Sequence, residues 1–170
     1  MKIAYYPGCS QEGSALDYGK STGAVCAAFG FHLEEIPNWT CCGSTPAHAL
    51  DTELSAALCA RNLDLATREK ADVVVTPCPS CLNNLRLASH RMENPSFRAN
   101  VNALLDEPAA EKFPEATSIM QLLGRHLDTE TIKARVKKTL NGIKLAAYYG
   151  CLMSRPANVM DFGDPENPTL

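Results

Sequence analysis

The stretch Asp72-Val73-Val74-Val75-Thr76-Pro77-Cys78-Pro79-Ser80-Cys81 joins a short β-branched run to a pair of cysteines. Consecutive valines favour an extended strand, and a run without alternating polar residues is typical of a parallel sheet covered on both faces. Pro77 cannot continue a central strand because it lacks a backbone N–H. The C-x-x-C pair therefore follows the carboxyl end of a predicted buried strand.

Two earlier stretches repeat this arrangement of a strand followed by cysteine. Residues 2–6 form an apolar and aromatic run that stops at Pro7-Gly8, and Cys9 comes next. Residues 31–36 form a second predicted strand, and the adjacent pair Cys41-Cys42 lies a few residues beyond its end. Three successive strands are thus each followed by cysteine.

Helices are predicted between these strands from the spacing of apolar residues. One covers residues 13–30, and the next runs from an N-cap at Asp51 to about Lys70. Cys26 and Cys59 fall at apolar positions inside them, where a free cysteine packs as a small buried hydrophobe. The alternation predicts an α/β fold: a parallel sheet with flanking helices, and cysteine-bearing loops at the carboxyl ends of the strands.

The carboxyl ends of parallel strands share one edge of the sheet, so this fold would bring five distant thiols together. They belong to Cys9, Cys41, Cys42, Cys78 and Cys81. A C-x-x-C pair alone fits a redox dithiol, a zinc site or an iron–sulfur site. Joined to an adjacent pair and a fifth cysteine, it favours a metal cluster. Zinc stays open as the alternative, because four of the thiols would make a tetrahedral site.

Composition narrows the class of protein. The 170 residues are 45% hydrophobic and 21% charged, as in an ordinary globular domain. A net charge of -3 without a dense Lys/Arg run argues against nucleic acid or an anionic membrane as partner. The sequence shows no apolar stretch of bilayer length and no apolar signal core in MKIAYYPGCS, so we predict a cytoplasmic protein without membrane contact. In a reducing compartment its eight cysteines favour metal or redox work over structural disulfides.

The second half of the chain carries weaker signals. A brief strand is predicted over residues 118–120, leading into a helix over residues 121–127. Later, Lys144-Leu145-Ala146-Ala147-Tyr148-Tyr149-Gly150-Cys151 echoes Lys2-Ile3-Ala4-Tyr5-Tyr6-Pro7-Gly8-Cys9. This repeat predicts a first domain over residues 1–141 and, over residues 142–170, the opening strand and linker of a truncated second domain. The unpaired edge of that strand would favour a homodimer.

Four short segments around the cysteines are more specific than the spacing. They are Tyr5-Tyr6-Pro7-Gly8-Cys9-Ser10, Trp39-Thr40-Cys41-Cys42-Gly43, Pro77-Cys78-Pro79-Ser80-Cys81 and Tyr148-Tyr149-Gly150-Cys151. Together they resemble the CCG, or cysteine-rich, domain family, and within it the B subunit of heterodisulfide reductase. That family has two such domains in tandem, so the chain resembles the N-terminal portion of a longer polypeptide.

The resemblance implies a cofactor and a reaction. Cys9, Cys41, Cys42, Cys78 and Cys81 would hold a noncubane [4Fe-4S] cluster, and Cys151 would be the first ligand of a second cluster. The implied reaction reduces a disulfide to two thiols by one-electron steps. In methanogens, where the reaction belongs to methanogenesis, the substrate is the mixed disulfide of coenzyme M and coenzyme B. Two electrons need two clusters, so this chain alone is expected to lack turnover.

The implied partners are the A and C subunits of heterodisulfide reductase as electron donors, together with a small-molecule disulfide. His48, five residues past Gly43, is a candidate donor of a hydrogen bond or proton to a product thiolate, although a histidine there also suits a helix start. Two other functions stay open. The chain could be an electron-transfer CCG subunit of a different oxidoreductase complex, or a zinc-binding structural module.

Overall fold

A parallel sheet forms the centre of the protein, whose computed structural model describes residues 1–44 and 46–168. The strands lie in the order β2-β1-β3-β4, and they are β1 (Ile3–Tyr5), β2 (Leu33–Glu35), β3 (Val73–Thr76) and β4 (Glu115–Ser118). Ile3 is level with both Leu33 and Val73, so the carboxyl ends of the three cysteine-bearing strands form one edge. The predicted α/β fold is confirmed.

Helices cover both faces of this sheet. They are α1 (Leu16–Ala28), α2 (Pro46–Leu50), α3 (Thr52–Arg68), α4 (Pro79–Arg91), α5 (Pro95–Asn102), α6 (Ile119–His126), α7 (Thr129–Arg135), α8 (Cys151–Ser154) and α9 (Ala157–Met160). Along a strand successive side chains point to opposite faces. Accordingly Ala4 and Val74 pack against α3 and α4, whereas Ile3 and Val75 pack against α1 and α6. No helix in the described ranges is both long and apolar enough to cross a lipid bilayer.

The helix starts place the cysteine loops. Asp51 caps α3 as predicted, and its carboxylate accepts hydrogen bonds from the amides of Glu53 and Leu54. Helix α4 begins at Pro79, three residues earlier than the apolar pattern indicated, because proline is preorganised for the first turn of a helix. Cys78 is therefore the N-cap of α4, and Cys81 lies inside its first turn.

The fourth strand lies earlier than the sequence predicted. It ends at Ser118 instead of beginning there, and α6 starts at Ile119. Ser118 and Gln121 form a capping box, in which each side chain bonds the other residue's backbone N–H. This pair starts the helix and so ends the strand.

The predicted strand over residues 144–149 is wrong. In the described part of the chain this stretch has no strand pairing, and the side chains of Leu145 and Tyr148 are exposed. A strand needs hydrogen-bonded neighbours, and none of β1 to β4 pairs with it. Instead, α8 and α9 pack on α4, and Met160 is completely buried. The division into residues 1–141 and 142–170, and the homodimer, stay predictions.

Candidate metal centre

The five cysteines of the predicted site all lie at the carboxyl edge of the sheet. Cys9 opens a short 3-10 helix after β1, and Cys41 and Cys42 lie in the loop between β2 and α2. Cys78 and Cys81 lie at the start of α4. The strand–helix alternation thus delivers three loops to one place, as the sequence indicated.

Their side chains are close together and all are free thiols. The Sγ atoms of Cys42 and Cys81 are 3.5 Å apart. The thiols of Cys78 and Cys81 lie within hydrogen-bond reach, and so do those of Cys9 and Cys41. Residues up to 72 positions apart in the sequence therefore meet in one cluster of sulfur atoms.

The thiol cluster, Cys9, Cys41, Cys42, Cys78 and Cys81, has a buried and an exposed side. Cys42 and Cys81 are each 3% exposed, whereas Cys9 and Cys41 are exposed. The exposed pair borders an open groove of about 600 Å³, whose wall includes Trp39. Adjacent residues, Cys41 and Cys42, thus serve opposite sides of the site.

Gly8 leaves space beside the buried thiols. Its φ of +74° is a conformation that glycine adopts readily. A Cβ atom added there would lie 2.9 Å from Cys81 Sγ, closer than such atoms can approach. The backbone after β1 therefore passes directly over the sulfur cluster.

A fully buried asparagine holds the loop that leads to the adjacent cysteines. Asn62 in α3 accepts a hydrogen bond from the Thr40 amide at 2.8 Å and donates one to the Thr40 carbonyl at 2.9 Å. The same carbonyl accepts the Tyr6 hydroxyl at 2.6 Å. We did not predict Asn62 as a site residue; its only signal was an amide within the apolar pattern of a helix. In the next turn, the Gly43 amide donates to Cys41 Sγ at 3.4 Å.

The electrostatics favour thiolates at two of the positions. A hydrogen bond from Cys81 and the backbone amides of Ser80 and Cys81 lower the pKa of Cys78 to about 6. Cys81 also lowers the pKa of Cys42 to about 7. These bonds to Cys42 and Cys78, with burial, raise the pKa of Cys81. One thiol therefore supports two thiolates, the form in which cysteine binds metal.

The remaining predicted residues lie outside this cluster. His48 is exposed on α2; its backbone N–H donates to the Gly43 carbonyl, and its imidazole makes no hydrogen bond to a described residue. Cys151 is exposed at the start of α8. Cys26 and Cys59 are completely buried, as predicted. The proton-donating role of His48 and the ligand role of Cys151 stay predictions.

The donor set fits an iron–sulfur cluster. Within residues 1–44 and 46–168, no three cysteine, histidine or carboxylate side chains are arranged to hold a single metal ion. A cluster binds its thiolates through several iron atoms, so they need not meet at one point. The lowered pKa values at Cys42 and Cys78 and the clearance over Gly8 agree with such a group.

Sequence comparison identifies the domain that carries these thiols. Residues 3–86 match the family described as the cysteine-rich domain, or CCG. The chain contains a CCG domain. The match spans β1 to the middle of α4, and thus includes all five thiols. It confirms the family that the cysteine spacing and flanking segments resemble.

Curated relatives place this CCG domain among subunits of oxidoreductases. The chain is 32% identical to the 8-methylmenaquinol:fumarate reductase membrane anchor subunit of Wolinella succinogenes, over 99% of this chain and 58% of that protein. It is 30% identical to an Archaeoglobus profundus protein that is named as being like the B subunit of heterodisulfide reductase, over 100% and 58%. For the B subunit of the ferredoxin/F(420)H(2)-dependent CoB-CoM heterodisulfide reductase of Methanosarcina acetivorans the values are 26%, 99% and 57%. The chain thus spans a little over half the length of these relatives.

Proposed function

We propose that the CCG domain holds a noncubane [4Fe-4S] cluster on Cys9, Cys41, Cys42, Cys78 and Cys81. The observation that carries the proposal is the meeting of five free thiols from three strand ends. A cubane cluster uses four cysteine ligands. A fifth thiol, in an adjacent pair of which one member is buried and the other exposed, supports the noncubane form.

The chain would then work in a heterodisulfide reductase-type complex. The reaction is R–S–S–R′ + 2 e⁻ + 2 H⁺ → RSH + R′SH, with the coenzyme M–coenzyme B heterodisulfide or a related disulfide as substrate. When bound, the cluster supplies electrons singly. Cys42 and Cys81 would hold its buried side away from water, and Cys9 and Cys41 would face the open groove. His48 would supply a proton, Cys151 would begin a second ligand set, and the A and C subunits would supply electrons, all in the cytoplasm.

A second candidate is an electron-transfer subunit of another oxidoreductase complex. It is favoured by the 32% identity over nearly the whole chain to the fumarate reductase subunit. In that case the thiol cluster would pass electrons onward, and the exposed Cys9 and Cys41 would mark the side of exchange. A structural zinc site is the third interpretation of the same thiols.

Metal analysis tests the cluster directly. We expect about four irons with matching sulfide in anaerobically reconstituted protein, and broad charge-transfer absorption. Cys41→Ala or Cys42→Ala should lose most of this iron. Cys26→Ala is the matched control, because Cys26 is a buried cysteine on the other face of the sheet, and it should keep the iron. One zinc per chain without colour would overturn the proposal in favour of the structural site.

Reoxidation separates the two redox roles. Protein reduced with dithionite and freed of excess reductant is mixed with an organic disulfide. If the chain belongs to a disulfide reductase, the disulfide should restore the oxidised spectrum and release thiol in proportion to the reduced cluster. A reduced spectrum that persists with disulfide but disappears with a one-electron acceptor would favour the relay role.

A further inference from the structure

Helix α4 carries two adjacent buried asparagines that bind different parts of the chain. Asn83 and Asn84 are 5% and 7% exposed. The Asn83 side chain donates to the carbonyls of Leu152 and Arg155, in the C-terminal segment. The Asn84 side chain instead donates to the carbonyl of Cys42 at 3.1 Å. Only the second of these amides reaches the thiol cluster.

The Cys42 carbonyl receives a second buried donor. The thiol of Cys59, completely buried in α3, lies 3.2 Å from the same oxygen. A carbonyl oxygen has two lone pairs, so these donors occupy both. A flip of the Cys42–Gly43 peptide would leave Asn84 and Cys59 as buried donors without a partner, at a cost of about 1–3 kcal/mol each. Cys42 is thereby held with its thiol beside Cys81.

Asn84 also lies near the sulfur atom itself. Its Nδ2 is 4.0 Å from Cys42 Sγ. The amide has two hydrogens, and only one is needed for the Cys42 carbonyl. Hydrogen bonds and dipoles near the sulfur ligands of an iron–sulfur cluster raise its reduction potential, because they stabilise the more negative reduced state.

We propose that Asn84 is a positioning residue of the cluster site. It holds the Cys42 peptide together with Cys59, and its amide dipole raises the reduction potential of the bound cluster. This inference rests on the proposed function, since it needs a cluster on the thiols. A role in packing alone would make Asn84 equivalent to Asn83.

The test compares Asn84→Leu with Asn83→Leu in the full chain. Each variant removes a buried amide of similar exposure from the same helix, so both are expected to lose stability. Midpoint potentials are measured anaerobically by a mediated spectroscopic titration of reconstituted protein. Asn84→Leu should shift the potential to a more negative value and change the electron paramagnetic resonance spectrum of the reduced cluster. Asn83→Leu should do neither.

A second measurement uses metal-free protein, so that it does not depend on cluster assembly. Alkylation of Cys42 is followed by mass spectrometry. Asn84→Leu should speed it severalfold relative to the wild type, because the peptide is no longer held, and Asn83→Leu should leave it unchanged. The nearly isosteric Asn84→Asp replaces the donor by an acceptor and should also lower the potential, which covers the case that leucine prevents folding.

The outcomes distinguish the proposed function from the role of Asn84. A wild-type chain that takes up no iron overturns the proposed function. A wild-type chain that holds a cluster, with equal potentials in wild type, Asn84→Leu and Asn84→Asp, overturns only the role of Asn84. So does a Cys42 alkylation rate that is the same in wild type and Asn84→Leu.

Discussion

Gly8 shows how closely single residues constrain the site. It joins β1 to Cys9 with a φ of +74°, and a side chain there would collide with Cys81 Sγ. Gly30 also has a positive φ, +79°, yet a Cβ atom added at Gly30 would meet no atom within 4 Å. The two glycines therefore separate the cost of backbone strain from the cost of filling the site.

Replacing Gly8 by alanine should abolish cluster binding. We expect Gly8→Ala and Gly30→Ala each to lose about 1–2 kcal/mol of unfolding free energy, because a Cβ atom disfavours positive φ. Only Gly8→Ala should also lose its iron, since Cys81 has to move away from the other thiols. Urea unfolding and iron content measure the two effects. Equal iron content in both variants would show that the approach of Gly8 to Cys81 does not matter for the site.

Helix α4 links the site to the rest of the fold. Its first turns carry Cys78, Cys81 and Asn84, and slightly further along Arg86 is buried against β4 and α9. Arg86 Nε donates to the Ala116 carbonyl at 2.7 Å, and its guanidinium also binds the carbonyl of Met160. A single side chain thus connects the cysteine-bearing helix with both the edge strand and the C-terminal segment.

Arg86→Leu should destabilise the protein by about 3 kcal/mol, because several buried carbonyls lose their donor. Arg125→Leu is the matched control. Arg125 binds Glu115 and Asp161 on the surface, and exposed ion pairs contribute only about 0–1 kcal/mol. Chemical denaturation measures both losses. Similar losses in the two variants would contradict the structural role of Arg86.

At the level of the whole molecule, the chain has one complete set of five cysteines and one further exposed cysteine, Cys151. It spans 58% of the length of its relatives from Wolinella succinogenes and Archaeoglobus profundus. The second half of the chain offers no other cysteine beside Cys151. One cluster that transfers single electrons cannot alone supply both electrons of a disulfide reduction at one time.

The reconstituted chain should therefore react with at most a stoichiometric amount of disulfide. With a continuous supply of a one-electron donor, we expect no steady release of thiol above the rate without protein. Thiol formation is followed with a chromogenic reagent, and protein without iron serves as the control. Sustained turnover that depends on iron would contradict the need for a second cluster.

Much of the candidate site could be predicted from local patterns. The valine run at β3, the apolar run at β1 and the helices between them specify a parallel α/β sheet, because side-chain periodicity determines which faces are buried. Once the strands are parallel, loops that follow their carboxyl ends must share an edge. The position of Cys9, Cys41 and Cys78 near one another follows from that topology.

Other features depend on contacts that no local pattern encodes. Tertiary structure decides that Cys42 is buried while Cys41 is exposed, and that Asn84 and Arg86 bind partners 42 and 74 residues away. It also decides that residues 144–149 form no strand, although the same sequence pattern forms β1 near the N-terminus. The physical reason is that a strand or a buried amide is stable only with hydrogen-bond partners, and distant segments supply those partners.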